Sequence, residues 1–196
     1  MPEIQPSHFQ PVALEHATRL LNHGPTILVT SAHGDRRNVM TAAWSTPVEF
    51  TPGRIAVVID KSTYTRTLML ASGMFGIGVP GAAFMDKAYA VGGISGESID
   101  KFARYDVKSV PGPVLGLPTI EEGCAAWLEC RLLRQPETEE AYDTFFGEVV
   151  SAASDTRVFS NGHWTFDASN ADLHTIHHLG GGQFTLASTI VSAKPL

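Results

Sequence analysis

After residue 25 the chain breaks into short runs of β-branched and apolar residues, each cut off by turn residues before it is long enough for a helix. Thr26-Ile27-Leu28-Val29-Thr30-Ser31 meets a turn at His33-Gly34-Asp35. Val39-Met40-Thr41-Ala42-Ala43-Trp44 follows and breaks at Pro47, and Arg54-Ile55-Ala56-Val57-Val58-Ile59 starts after Thr51-Pro52-Gly53. Three short strands divided by turn signals predict a meander.

Around this meander the periodicity predicts few helices. Leu14 to Asn22 has helical spacing and is closed by His23-Gly24-Pro25. Ser62 to Ser72 reads as a second helix, with Ser62 and Thr63 as caps and Gly73 as its end. Phe75 to Val79 returns as a strand, and short helices are expected between Ala82 and Tyr105, around Asp86 to Tyr89 and Ser98 to Phe102. A Pro-rich stretch from Val110 to Pro118 reads as a surface loop. Trp127 to Leu132 alternates as a half-buried strand would, with Leu128, Cys130 and Leu132 inward. Pro136 to Glu140 then reads as an acidic hairpin tip, Phe145 to Ser151 as the partner strand, and Gly180 to Leu186 as a late turn and strand. Six or seven strands with few helices predict a mainly β fold, a closed or nearly closed barrel.

At 196 residues, 43% hydrophobic and 17% charged, the chain has the size and composition of one globular domain spanning 1–196. A net charge of −6, with basic residues scattered apart from Arg36-Arg37, provides no footprint for nucleic acid. No apolar run approaches the ~20 residues of a membrane helix, and Met1 to Gln10 lacks the apolar stretch of a signal peptide. The expected location is the cytoplasm. Cys124 and Cys130, six apart, should share one face of a strand, too far apart to bridge, as reduced core residues.

Two segments suggest chemistry. Asn38, Met40, Thr41, Ala42, Ala43 and Trp44 mix small, polar and aromatic groups on one strand. Such a surface suits a flat ring with a polar edge, and equally an ordinary barrel strand. Asp60, Lys61, Ser62, Thr63, Thr65 and Arg66 lie where a strand runs into a helix start. First-turn amides, hydroxyls and cations there could hold a phosphate, or serve as a simple cap. His174, His177 and His178 form H-x-x-H-H without a carboxylate at metalloenzyme spacing, so no metal is expected. The chain has no G-x-S-x-G, H-E-x-x-H or Walker loop, which argues against hydrolysis and phosphoryl transfer.

Taken in order, these segments resemble the flavin reductase-like family, which includes the flavoredoxins and shares an FMN-binding split barrel. The matching stretches are Thr26 to Ser31, Asn38 to Trp44, Ile55 to Ser62, Thr65, Phe75-Gly76-Ile77-Gly78-Val79-Pro80, Ser95-Gly96 with Asp100-Lys101-Phe102, Leu128-Glu129-Cys130, and Gly147-Glu148-Val149-Val150. The resemblance implies that Asn38 to Trp44 lies along the isoalloxazine and that the strand end through Ser62, with Thr65, takes the phosphate. It implies that the segment from Ser95 to Phe102 closes over the site and that the protein is a homodimer. Many relatives carry Arg after the serine matching Ser62, where this chain has Thr63, so the phosphate cation falls to Lys61, Arg66 or another residue. Relatives also often carry Arg where His178 precedes Leu179-Gly180-Gly181, which makes His178 a candidate neighbour of the flavin.

The function implied is an FMN-dependent oxidoreductase, an NAD(P)H:flavin reductase passing hydride from nicotinamide C4 to flavin N5 with no catalytic side chain. NADH or NADPH is then a transient substrate, and a flavin-dependent monooxygenase or another electron acceptor the downstream partner. The competing readings are a flavoredoxin-like electron carrier and a non-redox ligand-binding barrel.

Overall fold

A computed structural model describes residues 8–17, 20 and 24–194. The elements in chain order are β1 (Phe9–Pro11), α1 (Leu14–Ala17), β2 (Ile27–His33), β3 (Arg36–Ala42), β4 (Ser45–Phe50), β5 (Gly53–Val58), α2 (Tyr64–Ser72) and β6 (Met74–Pro80). They continue with α3 (Met85–Gly92), α4 (Lys101–Arg104), β7 (Val110–Pro111), β8 (Pro118–Thr119), β9 (Cys124–Leu133), α5 (Pro136–Tyr142) and β10 (Thr144–Asp155). Two short hairpins follow, β11 (Phe159–Ser160) with β12 (His163–Trp164) and β13 (Ile176–Gly180) with β14 (Gln183–Leu186).

The main sheet has eight strands in the order β3-β2-β6-β9-β10-β5-β4, with β1 added to the far half of β10, and every pairing is antiparallel. Its two outer strands, β3 and β4, are consecutive in sequence. Ala43 and Trp44 alone join them, so their ends lie within about 11 Å of each other. The sheet must therefore curl into a barrel that stays unpaired between β3 and β4, the split barrel that the sequence resemblance implies.

Side chains from the two faces fill two cores. Ile27, Val29, Ile55, Val57, Phe75, Ile77, Leu128, Cys130 and Phe145 fill the barrel, where Leu20 also packs. Leu28, Val39, Phe84, Ala88, Val91, Phe102 and Ile176 form a second core between the sheet's other face and the α3 and α4 segments. Two cores explain why β9 is not half-buried as its alternation suggested. Trp127 and Glu129, on its second face, are buried as well.

Other expectations shift for local reasons. Pro47 does not break the chain but sits at an irregularity of the edge strand β4, where a missing amide is tolerated. The acidic tip is the helix α5, opened by Pro136 in its first turn and followed by Asp143 in the left-handed region. Of the helix expected over Leu14 to Asn22, Leu14–Ala17 is helical, while 18, 19 and 21–23 lie outside the described residues, as do 1–7 of the N-terminal stretch. Cys124 and Cys130 are free, buried thiols on β9, and burial pushes both pKa values up. They do not share a face, because the ladder to β6 skips Ala125, which puts Cys124 in the outer core and Cys130 in the barrel.

Glu129 is 0% exposed, and its carboxylate accepts the Leu115 and Val114 amides at 2.8 and 2.9 Å. It thus pins the Pro-rich loop over the sheet. Glu129→Ala should lower the unfolding free energy by roughly 3 kcal/mol, since two amides lose a charged acceptor. The exposed control Glu122→Ala should stay within about 0.5 kcal/mol of wild type. Denaturant midpoints check both, and equal values for the two variants would contradict the pin.

Candidate functional site

β3 is the base of the site because one of its sides pairs with β2 and the other meets helices. The Thr41 hydroxyl donates to the Ala88 carbonyl of α3. A Cβ at Gly92 would approach the Thr41 Cβ to 3.2 Å, so the end of α3 lies directly on the strand. Past that end, the chain returns across β3 so closely at Gly96 that a Cβ there would sit 2.0 Å from Asn38 Oδ1. Lys101, the first residue of α4, is 3% exposed, and its Nζ donates to the carbonyls of Val91 at 2.7 Å and Val39 at 2.9 Å. This ammonium ties the free side of β3 to α3. Burial lowers its pKa to about 8.

Two hollows result, and they meet at Gly92, Gly93 and Ile94. The larger, about 510 Å³, has a floor of Thr41, Ala42 and Ala43 and walls that include Tyr89, Tyr105, His178 and Phe184. Phe184 stands edge-on to Tyr89, with ring centroids 6.4 Å apart, and its centroid is 5.1 Å from that of His178. The β13–β14 hairpin that carries both is held to the barrel by the His178 amide, which donates to Thr26 Oγ1 at 2.9 Å. The smaller hollow, about 260 Å³, is polar and lies between Asn38 and Met40 on one side and the start of α2 on the other. Ser62, Thr63, Thr65, Ser95 and Lys101 line it. Asn38 Nδ2 donates to Thr65 Oγ1 at 2.9 Å, whereas the buried Asn38 Oδ1 has no partner among the described residues.

The start of α2 follows the sequence closely. Thr63 is the N-cap and accepts from the Arg66 amide through its side chain. Before it, the Asp60 carboxylate accepts from the Ser62 hydroxyl at 2.5 Å and the Ser62 amide at 2.8 Å, and these two bonds hold its pKa below the usual carboxylate range.

Of the residues singled out from sequence, Asn38, Met40, Thr41, Ala42, Ala43, Ser62, Thr63, Thr65, Ser95 and His178 line one or other hollow. Five do not. Lys61 turns to the Glu140 carbonyl at 3.3 Å and its carboxylate at 3.6 Å, and Arg66 pairs with Asp143. Asp60 is used within its own turn, Phe102 is in the outer core beneath the Arg37 guanidinium, and Trp44 is 73% exposed beside Ala43. The cation that does line the polar hollow is Lys101, together with Tyr64, and the aromatic wall adds Tyr89, Tyr105 and Phe184. Lys101 sat within the quoted Asp100-Lys101-Phe102 segment, and its place directly after a capping Asp is the signal that could have marked it.

The three histidines separate. His174 is buried, with Nε2 at 2.9 Å from the Asp167 carbonyl and 3.1 Å from Asn170 Oδ1, while His178 faces the larger hollow. Burial lowers the pKa of His177. Among the described residues no three His, Cys, Asp or Glu side chains come together as a metal site.

Known proteins resemble this chain. The Escherichia coli protein YddH is 54% identical over 189 residues, covering 95% of this chain and 99% of its own. The FMN-binding domain of a flavin reductases-like enzyme from Shewanella baltica superposes with a TM-score of 0.91 at 40% identity, covering 95% of this chain and 97% of that one. The flavoredoxin of Desulfovibrio vulgaris follows with a TM-score of 0.73 at 27% identity, covering 87% and 90%. Residues 19–168 match the flavin reductase like domain, and with the split barrel and its two joined hollows the chain belongs to the flavin reductase-like family.

Proposed function

We propose that this chain is one FMN-binding domain, over residues 1–196, that acts as an NAD(P)H:flavin reductase. The observation that supports it most is the pair of hollows joined at Gly92 to Ile94, one walled by small and aromatic side chains, the other by hydroxyls and a buried lysine. FMN has the matching halves, a flat ring and a phosphate. FMN-binding relatives of the same fold support the choice of this flavin.

Each residue then has a task. Thr41, Ala42 and Ala43 form the surface for the ring, with His178 and Phe184 at its side. Ser62, Thr63, Thr65 and the first amides of α2 bind the phosphate oxygens, and Lys101 supplies the charge. Asn38, whose Nδ2 donates to Thr65 Oγ1, holds that hydroxyl in the smaller hollow. When bound, FMN supplies the redox centre that accepts hydride at N5 from nicotinamide C4. The protein orients the ring, keeps one face open to the nucleotide and excludes water from the other. A second copy of the chain, meeting this one over Trp44, completes the ring end.

Dialysed protein mixed with FMN should quench its fluorescence at micromolar concentrations, and NADH or NADPH should bleach the bound flavin anaerobically within seconds. No quenching sinks the flavin reading. Quenching with oxidised flavin persisting under both nucleotides, and bleaching by a reduced protein donor, favours the flavoredoxin-like carrier instead.

Lys101→Met should weaken FMN more than riboflavin, because riboflavin lacks the phosphate. With a pKa of about 8, Lys101 is cationic below that pH and neutral above it. The preference of wild-type protein for FMN over riboflavin should therefore be greater at about pH 7 than at about pH 9.5, where Lys101 has lost its proton. A preference that does not change with pH would show that Lys101 is not the phosphate cation.

Sedimentation should show a dimer. A monomer with undiminished FMN affinity would remove the partner from the site.

A further inference from the structure

The loop that leads from β5 into α2 is held at both ends by one residue outside it. Asp143, between α5 and β10, has a φ of 52°, a conformation that few residues other than Gly, Asn and Asp adopt. Its backbone carbonyl accepts the Ile59 amide at 2.8 Å, just past the end of β5, and its carboxylate pairs with the Arg66 guanidinium in the first turn of α2. Arg66 is 9% exposed, donates to the Glu139 carbonyl at 3.0 Å and lies 5.1 Å from the centroid of the Phe145 ring. Glu139 is fixed in turn by Arg134 Nε at 3.0 Å and the Gln135 amide at 2.7 Å. The α5–β10 corner is thus a rigid anchor, and Asp60 to Thr65 is strung between its two attachments.

We infer that Asp143 and Arg66 are positioning residues for the phosphate loop, an inference that rests on the flavin reading above. Neither lines the polar hollow. They act by closing the loop into a ring, Asp143 to Ile59 on one side and Asp143 to Arg66 on the other, so that the Ser62, Thr63 and Thr65 hydroxyls are in place before a ligand arrives. An unpinned loop would have to be ordered on binding, at the expense of affinity. Arg66 itself is not available to the phosphate. Drawing it into the hollow would leave the mostly buried Asp143 carboxylate without its counter-ion.

Asp143→Asn separates the two attachments. Asn tolerates the left-handed conformation and keeps the carbonyl bond to Ile59, but it loses the charge that holds Arg66. Wild type, Asp143→Asn and Arg66→Lys are titrated with FMN and with riboflavin by fluorescence quenching, and amide hydrogen exchange is followed in the flavin-free proteins. Asp143→Asn should weaken FMN about tenfold while riboflavin changes by no more than about twofold. The amides of Ser62 to Arg66 should exchange faster than in wild type, and Arg66→Lys, which keeps the charge but loses the fork, should fall between the two. If Asp143→Asn does not fold, Arg66→Lys provides the same comparison by itself. Equal losses for both flavins, no loss, or unchanged exchange at Ser62 to Arg66 overturn the inference and leave the flavin reading intact. Wild-type protein that binds neither flavin overturns both.

Discussion

The shape of this molecule depends on the two-residue connection between β3 and β4. Strands so joined would ordinarily pair as a hairpin, yet here they stand at opposite ends of the sheet order. The sheet has to curl to bring those ends together, and β3 keeps one unpaired side. An open strand edge is a liability, since its amides and carbonyls will pair with whatever approaches. This chain covers it with α3, the crossing at Gly96 and the Lys101 ammonium, which takes the Val39 carbonyl. The two hollows lie between the edge and its cover, so the site follows from the way the barrel is split.

The same split explains the two cores. A strand in a closed barrel faces a core on one side and water on the other, whereas β2 and β9 have apolar or pinned contacts on both. The second core is what gives α3 and α4 a fixed seat against β3. Glu129 belongs to this layer, a carboxylate satisfied by backbone amides instead of a cation.

Much of this was legible in the sequence. α2 with its Thr63 cap and Gly73 end and the small-residue strand carrying the hollows follow from local rules that the fold does not contradict, whereas the expected meander is split: β2 pairs with β3, but β5 lies towards the other end of the sheet beside β4, a strand that local pattern did not show. The misses came where tertiary contacts outvote local pattern. Lys61 and Arg66 have the right charge beside a phosphate-like loop, but α5 offers them Glu140 and Asp143 at closer range. Nothing within the segment 60–66 announces that competition, because the acids are some eighty positions further along. Lys101, which lines the polar hollow, was not singled out for a different reason: the capping Asp100 marks the start of its helix, but a four-residue helix does not show that it packs against β3. The two-faced burial of β9 and the offset of the cysteines both depend on partners that alternation cannot see.

The approach of Gly96 to Asn38 has an evolutionary consequence. The space between them admits no Cβ, so the two positions form a single volume shared by two segments far apart in sequence. A descendant that acquires a side chain at 96 must shorten 38 to make room. In doing so it gives up the amide that reaches Thr65, so drift at one position is tied to the start of α2 through the other. Across divergent members of the lineage, 38 and 96 should therefore change together or not at all.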